Sequence, residues 1–163
     1  MNVTIVHKPE VRAVVLRTNQ NGRDVRQAWK EIQELLSERQ AELDGEHGYV
    51  FVPEWQWATG VHTLWVGTQI GSFEELPEGI ETLTLPAKKY AKITVRGDRG
   101  EMDAVYRHLD EWFKNGEHER DMAEGSYSFE ANRLHPVNPF LIPADVIDFF
   151  DFDIYAPIKA VLK

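Results

Sequence analysis

Hydrophobic and polar positions along the chain follow two alternating periodicities. From Val3 to Thr18 the apolar residues Ile5, Val6, Val11, Ala13, Val14, Val15 and Leu16 form an extended run broken by Pro9, which reads as a strand with a kinked or edge segment at its start. Asn21-Gly22 turns the chain and Asp24 is placed to cap a helix. Val25, Ala28, Trp29, Ile32, Leu35 and Leu36 then recur at helical spacing, with Arg26, Lys30, Glu31, Glu34 and Glu38 elsewhere on the wheel, and predict an amphipathic helix ending before Gly45. After Gly48 comes an aromatic strand from Tyr49 to Trp57 and, past Thr59-Gly60, a second from His62 to Ile70. Gly67 within it marks a close backbone approach or a bulge. Ser72 to Gly79, with Pro77, reads as a linker.

The same order then returns. Leu83, Leu85, Tyr90, Ala91, Ile93 and Val95 predict a strand, Gly97-Asp98 a turn and cap, and Met102, Val105, Tyr106, Leu109, Trp112 and Phe113 a helix ending at Gly116. One offset of 78 residues carries Tyr49 to Tyr127, Phe51 to Phe129, Ala13 to Ala91 and Val15 to Ile93. The pattern predicts a single α+β domain over residues 1–163 made of two pseudo-repeats, roughly 1–71 and 80–163. Each is a β-α-β-β unit, giving an antiparallel sheet, two helices and a cleft between the halves, because neither half covers its own sheet alone.

Two strands carry carboxylates where aromatic and aliphatic residues alternate: Glu130 within Ser126 to Asn132, and Asp153 just before Tyr155. Such a group either faces water or, turned inward, needs a cation or hydrogen-bond donors to offset several kcal/mol of desolvation. The offset matches Glu130 to apolar Val52, and alternation puts it on the opposite face from Tyr127 and Phe129. If those aromatics pack under the helix, Glu130 faces the other side of the sheet, in the cleft. Tyr155 takes the place that Trp65 holds in the first half, and Trp55 and Trp57 offer π faces to a cation or serve as ordinary core or surface aromatics. The connection from His135 to Phe152 is rich in proline and apolar residues, among them Phe140, Leu141, Ile142, Phe149 and Phe150. It fits a lid over the cleft and a dimer contact equally well.

Charge and composition narrow the chemistry. A net charge of −9 argues against direct nucleic-acid binding and favours cationic small molecules. Without cysteine there is no disulfide, thiolate metal site or cysteine nucleophile. The six histidines are scattered, so no metal is expected, and neither a phosphate-binding loop nor a dinucleotide fingerprint appears, so no cofactor is expected. No apolar run spans a membrane and the start is not a secretory signal, which makes the cytoplasm the default. An enzymatic reading would pair Glu130 with Asp153 as acid and base, with no positioned nucleophile to name.

Leu64-Trp65-Val66-Gly67, Leu76-Pro77-Glu78-Gly79-Ile80-Glu81 and Leu85-Pro86-Ala87-Lys88-Lys89-Tyr90-Ala91 resemble, in order and spacing, the GyrI-like or AraC-type effector-binding domains. So do Trp112, Phe129-Glu130 and Asp153-Ile154-Tyr155-Ala156-Pro157-Ile158-Lys159, and the likeness covers nearly the whole chain. The resemblance implies a duplicated fold whose cleft takes lipophilic, often cationic, ligands, with Glu130 as counter-ion and Tyr155 near it. The full set of ligand-binding candidates is Glu130, Tyr155, Trp65, Trp55, Trp57, Asn132 and Asp153. It further implies a stand-alone effector-binding protein, since the likeness begins at residue 1 without a helix-turn-helix domain. Relatives reported as hydrolases of strained toxins, or as proteins that contact DNA gyrase, supply the alternatives, with a protein partner or homodimer as a further option. Two departures stand out: Asn132 replaces a Tyr common in the family, and the connection from Glu130 to Asp153 is longer than usual.

Overall fold

A computed structural model describes residues 2–160. Proline decides how each repeat begins. Lacking an N–H, Pro9 and Pro86 cannot continue a ladder, so what the hydrophobic pattern reads as one kinked strand is two strands each time. The first repeat runs β1 (Thr4–Lys8), β2 (Val11–Asn19), α1 (Gly22–Leu35), β3 (His47–Pro53) and β4 (Thr63–Gln69). The second runs β5 (Glu81–Leu85), β6 (Lys88–Gly97), α2 (Arg99–Asn115), β7 (Tyr127–Arg133) and β8 (Phe150–Pro157).

All eight strands join one antiparallel sheet in the order β1-β6-β8-β7-β3-β4-β2-β5. The leading strand of each repeat pairs in the other half: Ile5 lies opposite Ala91, and its 78-residue counterpart Leu83 lies opposite Ala13. At the centre Phe51 pairs with its own counterpart, Phe129, so a pseudo-two-fold axis passes between β3 and β7. Only two residues link β1 to β2, and three peptide steps reach at most about 11 Å. In a flat sheet those strands, six places apart, would be separated by about 29 Å. The sheet therefore curls, bringing its two edges towards each other.

Curling gives the sheet an inner and an outer face, both apolar. The inner face is filled by Tyr49, Phe51, Tyr90, Phe129 and Tyr155 with aliphatic residues of β2 and β5; Phe129 stacks on Tyr155 with 4.7 Å between ring centroids. The helices lie on the outer face. Trp29 of α1 packs with Val50 and Val66, and Ile32 with Val14; Val105 and Leu109 of α2 pack on Ile93, Val95 and Ile154. Asn21, rather than Asp24, caps α1, its side-chain oxygen accepting the N–H of Asp24 at 2.8 Å; Asp98 caps α2. At Gly67 the register across β2 and β4 is unbroken, so there is no bulge. A Cβ there would lie 1.8 Å from the Val14 carbonyl oxygen, a close approach that only glycine allows. Among the described residues no helix is long and apolar enough to cross a membrane.

Candidate functional site

Glu130 pairs with Val50 on one side and Ile154 on the other, and residues opposite one another in adjacent strands share a face. Val50 and Ile154 pack on the helix side, so Glu130 points there too. The helices rest on the flanks, α1 over β2 and β4 and α2 over β6, leaving the centre of the outer face open between them. A cavity of about 700 Å³ fills this space. Val50, Val52, Leu64 and Ile154 come from the sheet, and Met102 and Tyr106 from α2. Trp57 and Met122 complete the apolar wall, and Glu130 stands at the floor.

Glu130 lines this cavity, with Asp103 and Asp110 at its exposed rim, whereas Glu54 lies behind the lining residues Trp57 and Arg120. Glu54 is fully buried and held by Arg120, whose Nε and Nη2 donate to its two oxygens at 2.6 and 3.1 Å; Trp57 Nε1 adds a third bond at 3.2 Å. Arg120 also donates to Asp110 at 3.1 Å, which leaves its charge committed to protein carboxylates. Glu130, half-buried, receives only the hydroxyl of Tyr106, and among the described residues it has no ion-pair partner. Burial pushes its carboxyl above the ordinary range, partly opposed by the Tyr106 bond. Beside it, burial and the same carboxylate push Tyr106 far above the ordinary phenol range, so it stays a donor. The floor thus presents one acidic group without an ion-pair partner among largely apolar, aromatic and thioether side chains; besides Arg120, the charged lining residues Asp103, Arg107 and Asp110 stand at the exposed rim.

The cleft anticipated from sequence is here divided by the sheet. Tyr127 and Phe129 pack on the inner face rather than under a helix, which overturns the premise that placed Glu130 on the face away from the helices; it lies on the helix side. Tyr155 and Trp65 pair with Phe129 and Phe51 and so share that inner face, away from Glu130. Tyr155 lies beneath Lys8, with Nζ 4.8 Å from its ring centroid. Trp65 meets Tyr127 edge-on at 5.6 Å, and Trp55 meets the same ring at 5.0 Å. Asp153 also lies on the inner face, where Arg133 Nη2 donates to both its oxygens at 2.9 Å and Thr94 to one at 2.6 Å. Glu130 and Asp153 therefore form no acid–base pair. Trp57, 42% exposed, lines the cavity with Glu130, and Asn132 projects from the same face two residues on.

Met102, Tyr106 and Arg120, which line the cavity, and Glu54, which holds Arg120, are residues that sequence reasoning passes over. Met102 and Tyr106 read as core positions of α2, one helical turn apart, and their shared face signals a site only once α2 is known to lie beside β7. Among the described residues no cluster of three or more His, Cys, Asp or Glu could hold a metal ion.

Solved structures share this architecture. SAV2435 bound to tetraphenylphosphonium aligns with a TM-score of 0.61 and 14% identity, over 98% of this chain and 94% of that one. The C-terminal domain of EcmrR aligns at 0.66 and 12% identity, over 98% of both chains. The integron cassette protein VCH_CASS2, from the mobile metagenome of Vibrio cholerae, aligns at 0.59 and 12% identity, over 98% of this chain and 97% of that one. At such identities the likeness shows the fold. No curated protein sequence matches the chain significantly. The Cass2 profile, described as an integron-associated effector binding protein, matches residues 4–158, from the first strand to the end of the last. The chain belongs to this family of integron-associated effector-binding proteins.

Proposed function

We propose that the effector of this protein is a lipophilic cation held between α1 and α2, with Glu130 as its counter-charge. The observation that carries the reading is an unpaired carboxylate at the bottom of an apolar cavity. A bound cation offsets the desolvation that the protein leaves uncompensated there. Trp57 presents a ring to the charge, while Met102 and Met122 supply adaptable thioether contacts that tolerate varied shapes. The tetraphenylphosphonium bound by the similarly folded SAV2435 is of this chemical class.

Tryptophan fluorescence tests the reading, since Trp57 lines the cavity. Tetraphenylphosphonium should quench saturably and a neutral tetraphenyl analogue should not. Glu130→Gln should weaken cation binding by about 1.5–3 kcal/mol, the usual scale for a hydrogen-bonded charge contact. Equal binding of the two probes, or indifference to Glu130→Gln, would remove the counter-charge role. A protein-contact reading rests on a separate feature, the apolar side chains of Val137, Leu141, Val146 and Phe149 exposed on the connection between β7 and β8, and it makes no use of Glu130.

A further inference from the structure

The space around Glu130 continues past it. The main cavity and a second chamber of about 130 Å³ share Glu130, Val50 and Met102 as a common neck. The second chamber is lined by Val25 and Arg26 of α1, by Phe150 and Phe152 of the last strand, and by a wall of Pro139, Phe140 and Ile147 from the long connection. This wall is anchored. Phe140 stacks on Trp29 with 4.4 Å between centroids and 12° between planes. Gly48 lies beneath the pair, where a Cβ would come within 2.5 Å of the Phe140 ring and 2.8 Å of Trp29.

The polar groups of the chamber are turned to the backbone. Arg26 donates to the carbonyls of Ile142, Gly22 and Pro139, the last two at 3.0 and 3.4 Å, and Asn132 donates to Gly48 at 3.4 Å. What remains facing the space is largely aromatic and aliphatic, apart from Glu130 at the neck. A dry cavity of about 150 Å³ with such a lining accepts one benzene molecule, so a space of this size holds one ring and excludes two.

We propose that this chamber is a subsite for a single aryl group carried next to the cationic centre. Resting on the counter-charge role of Glu130, this narrows the effector class to cations with a bulky lipophilic body in the main cavity and one flat ring on a short arm reaching past Met102. The segment between β7 and β8 then acts as the specificity wall of the site, setting the size of that arm.

Calorimetric titration with methyltriphenylphosphonium and benzyltriphenylphosphonium tests this, the two cations differing in whether they carry the arm. Wild type should bind the benzyl compound at least roughly tenfold more tightly, as burial of one ring allows. Filling the chamber from either wall, with Ile147→Trp or Val25→Phe, should abolish that advantage while leaving the methyl compound within about twofold of wild type, which also shows that the variant is folded. A naphthylmethyl arm should gain nothing over methyl. Equal affinities in wild type, or an advantage that survives in a filled variant that still binds the methyl compound, would overturn the subsite alone, provided both cations still need Glu130. Indifference of both cations to Glu130→Gln, or no binding of either, would overturn the counter-charge reading and the subsite with it.

Discussion

At Glu130 and Glu54 the same side chain is buried on opposite terms. Glu54 has its cation within the protein, and removing Arg120 would leave a charge stranded among apolar groups. Glu130 has one hydroxyl and open space, so on the proposed reading its cation comes from outside. The difference has a pH signature. The Glu130 carboxyl is raised by burial, and only its ionised form attracts a cation, so affinity should rise with pH through a midpoint above the ordinary glutamate range. Stability runs the other way: the folded state holds this proton more tightly than the unfolded chain, so the unliganded protein loses stability as pH rises through the same midpoint. Tyr106→Phe removes the bond that holds the carboxyl down, and should move the binding midpoint further upward. Cation titrations between about pH 4 and 8, bracketing the carboxylate range, check this; an unmoved midpoint would mean that Tyr106 does not tune the group.

For the elements, hydrophobic periodicity made both helices and most strands legible, down to the turn at Gly97-Asp98 and the close approach at Gly67. It could not show which face of the sheet the helices cover. Val50 and Val52 point one way and Tyr49 and Phe51 the other, and all four are buried, so alternation carries no sign. Nor could it show the register that pairs Phe129 with Tyr155 and Phe51 with Trp65: the resemblance implies Tyr155 near Glu130, whereas the structure sets Tyr155, Trp65 and Asp153 across the sheet from it. The connection between β7 and β8 was legible as apolar, and its inner side does pack on α1 through Phe140, whereas its role at the second chamber depends on contacts 90 and more residues apart along the chain. At Gly67 the physical claim is sharp: the Val14 carbonyl oxygen is backbone and cannot swing aside. Gly67→Ala should therefore separate β2 from β4 and cost about 3 kcal/mol, the upper end for overpacking, in urea melts. A loss within experimental error would show that the two strands have room to part.

Across the whole molecule, the duplication was legible because one offset matched residues in strands and helices alike, and the register places Phe51 opposite Phe129 across the axis. The exchange of β1 and β5 was not, because pairing partners some 80 residues apart leave no trace in local pattern. Its test is to divide the chain within residues 72–79, between β4 and β5. Each fragment then carries an outer strand whose ladder belongs to the other. The two should be insoluble or unfolded alone and should recover the circular dichroism of the intact protein when produced together; an independently folded fragment would contradict the exchange.

The exchanged strands also bear on how the protein is made. On the ribosome β1 emerges first, yet its ladder partner β6 ends at Gly97, and β2 waits for β5. The nascent first repeat, though its sequence is all present, is missing one edge and holds a spare strand that fits nowhere in it. Completion has to wait until residues through Gly97 have left the exit tunnel, so synthesis halted before them yields an open template for misassembly rather than a folded half.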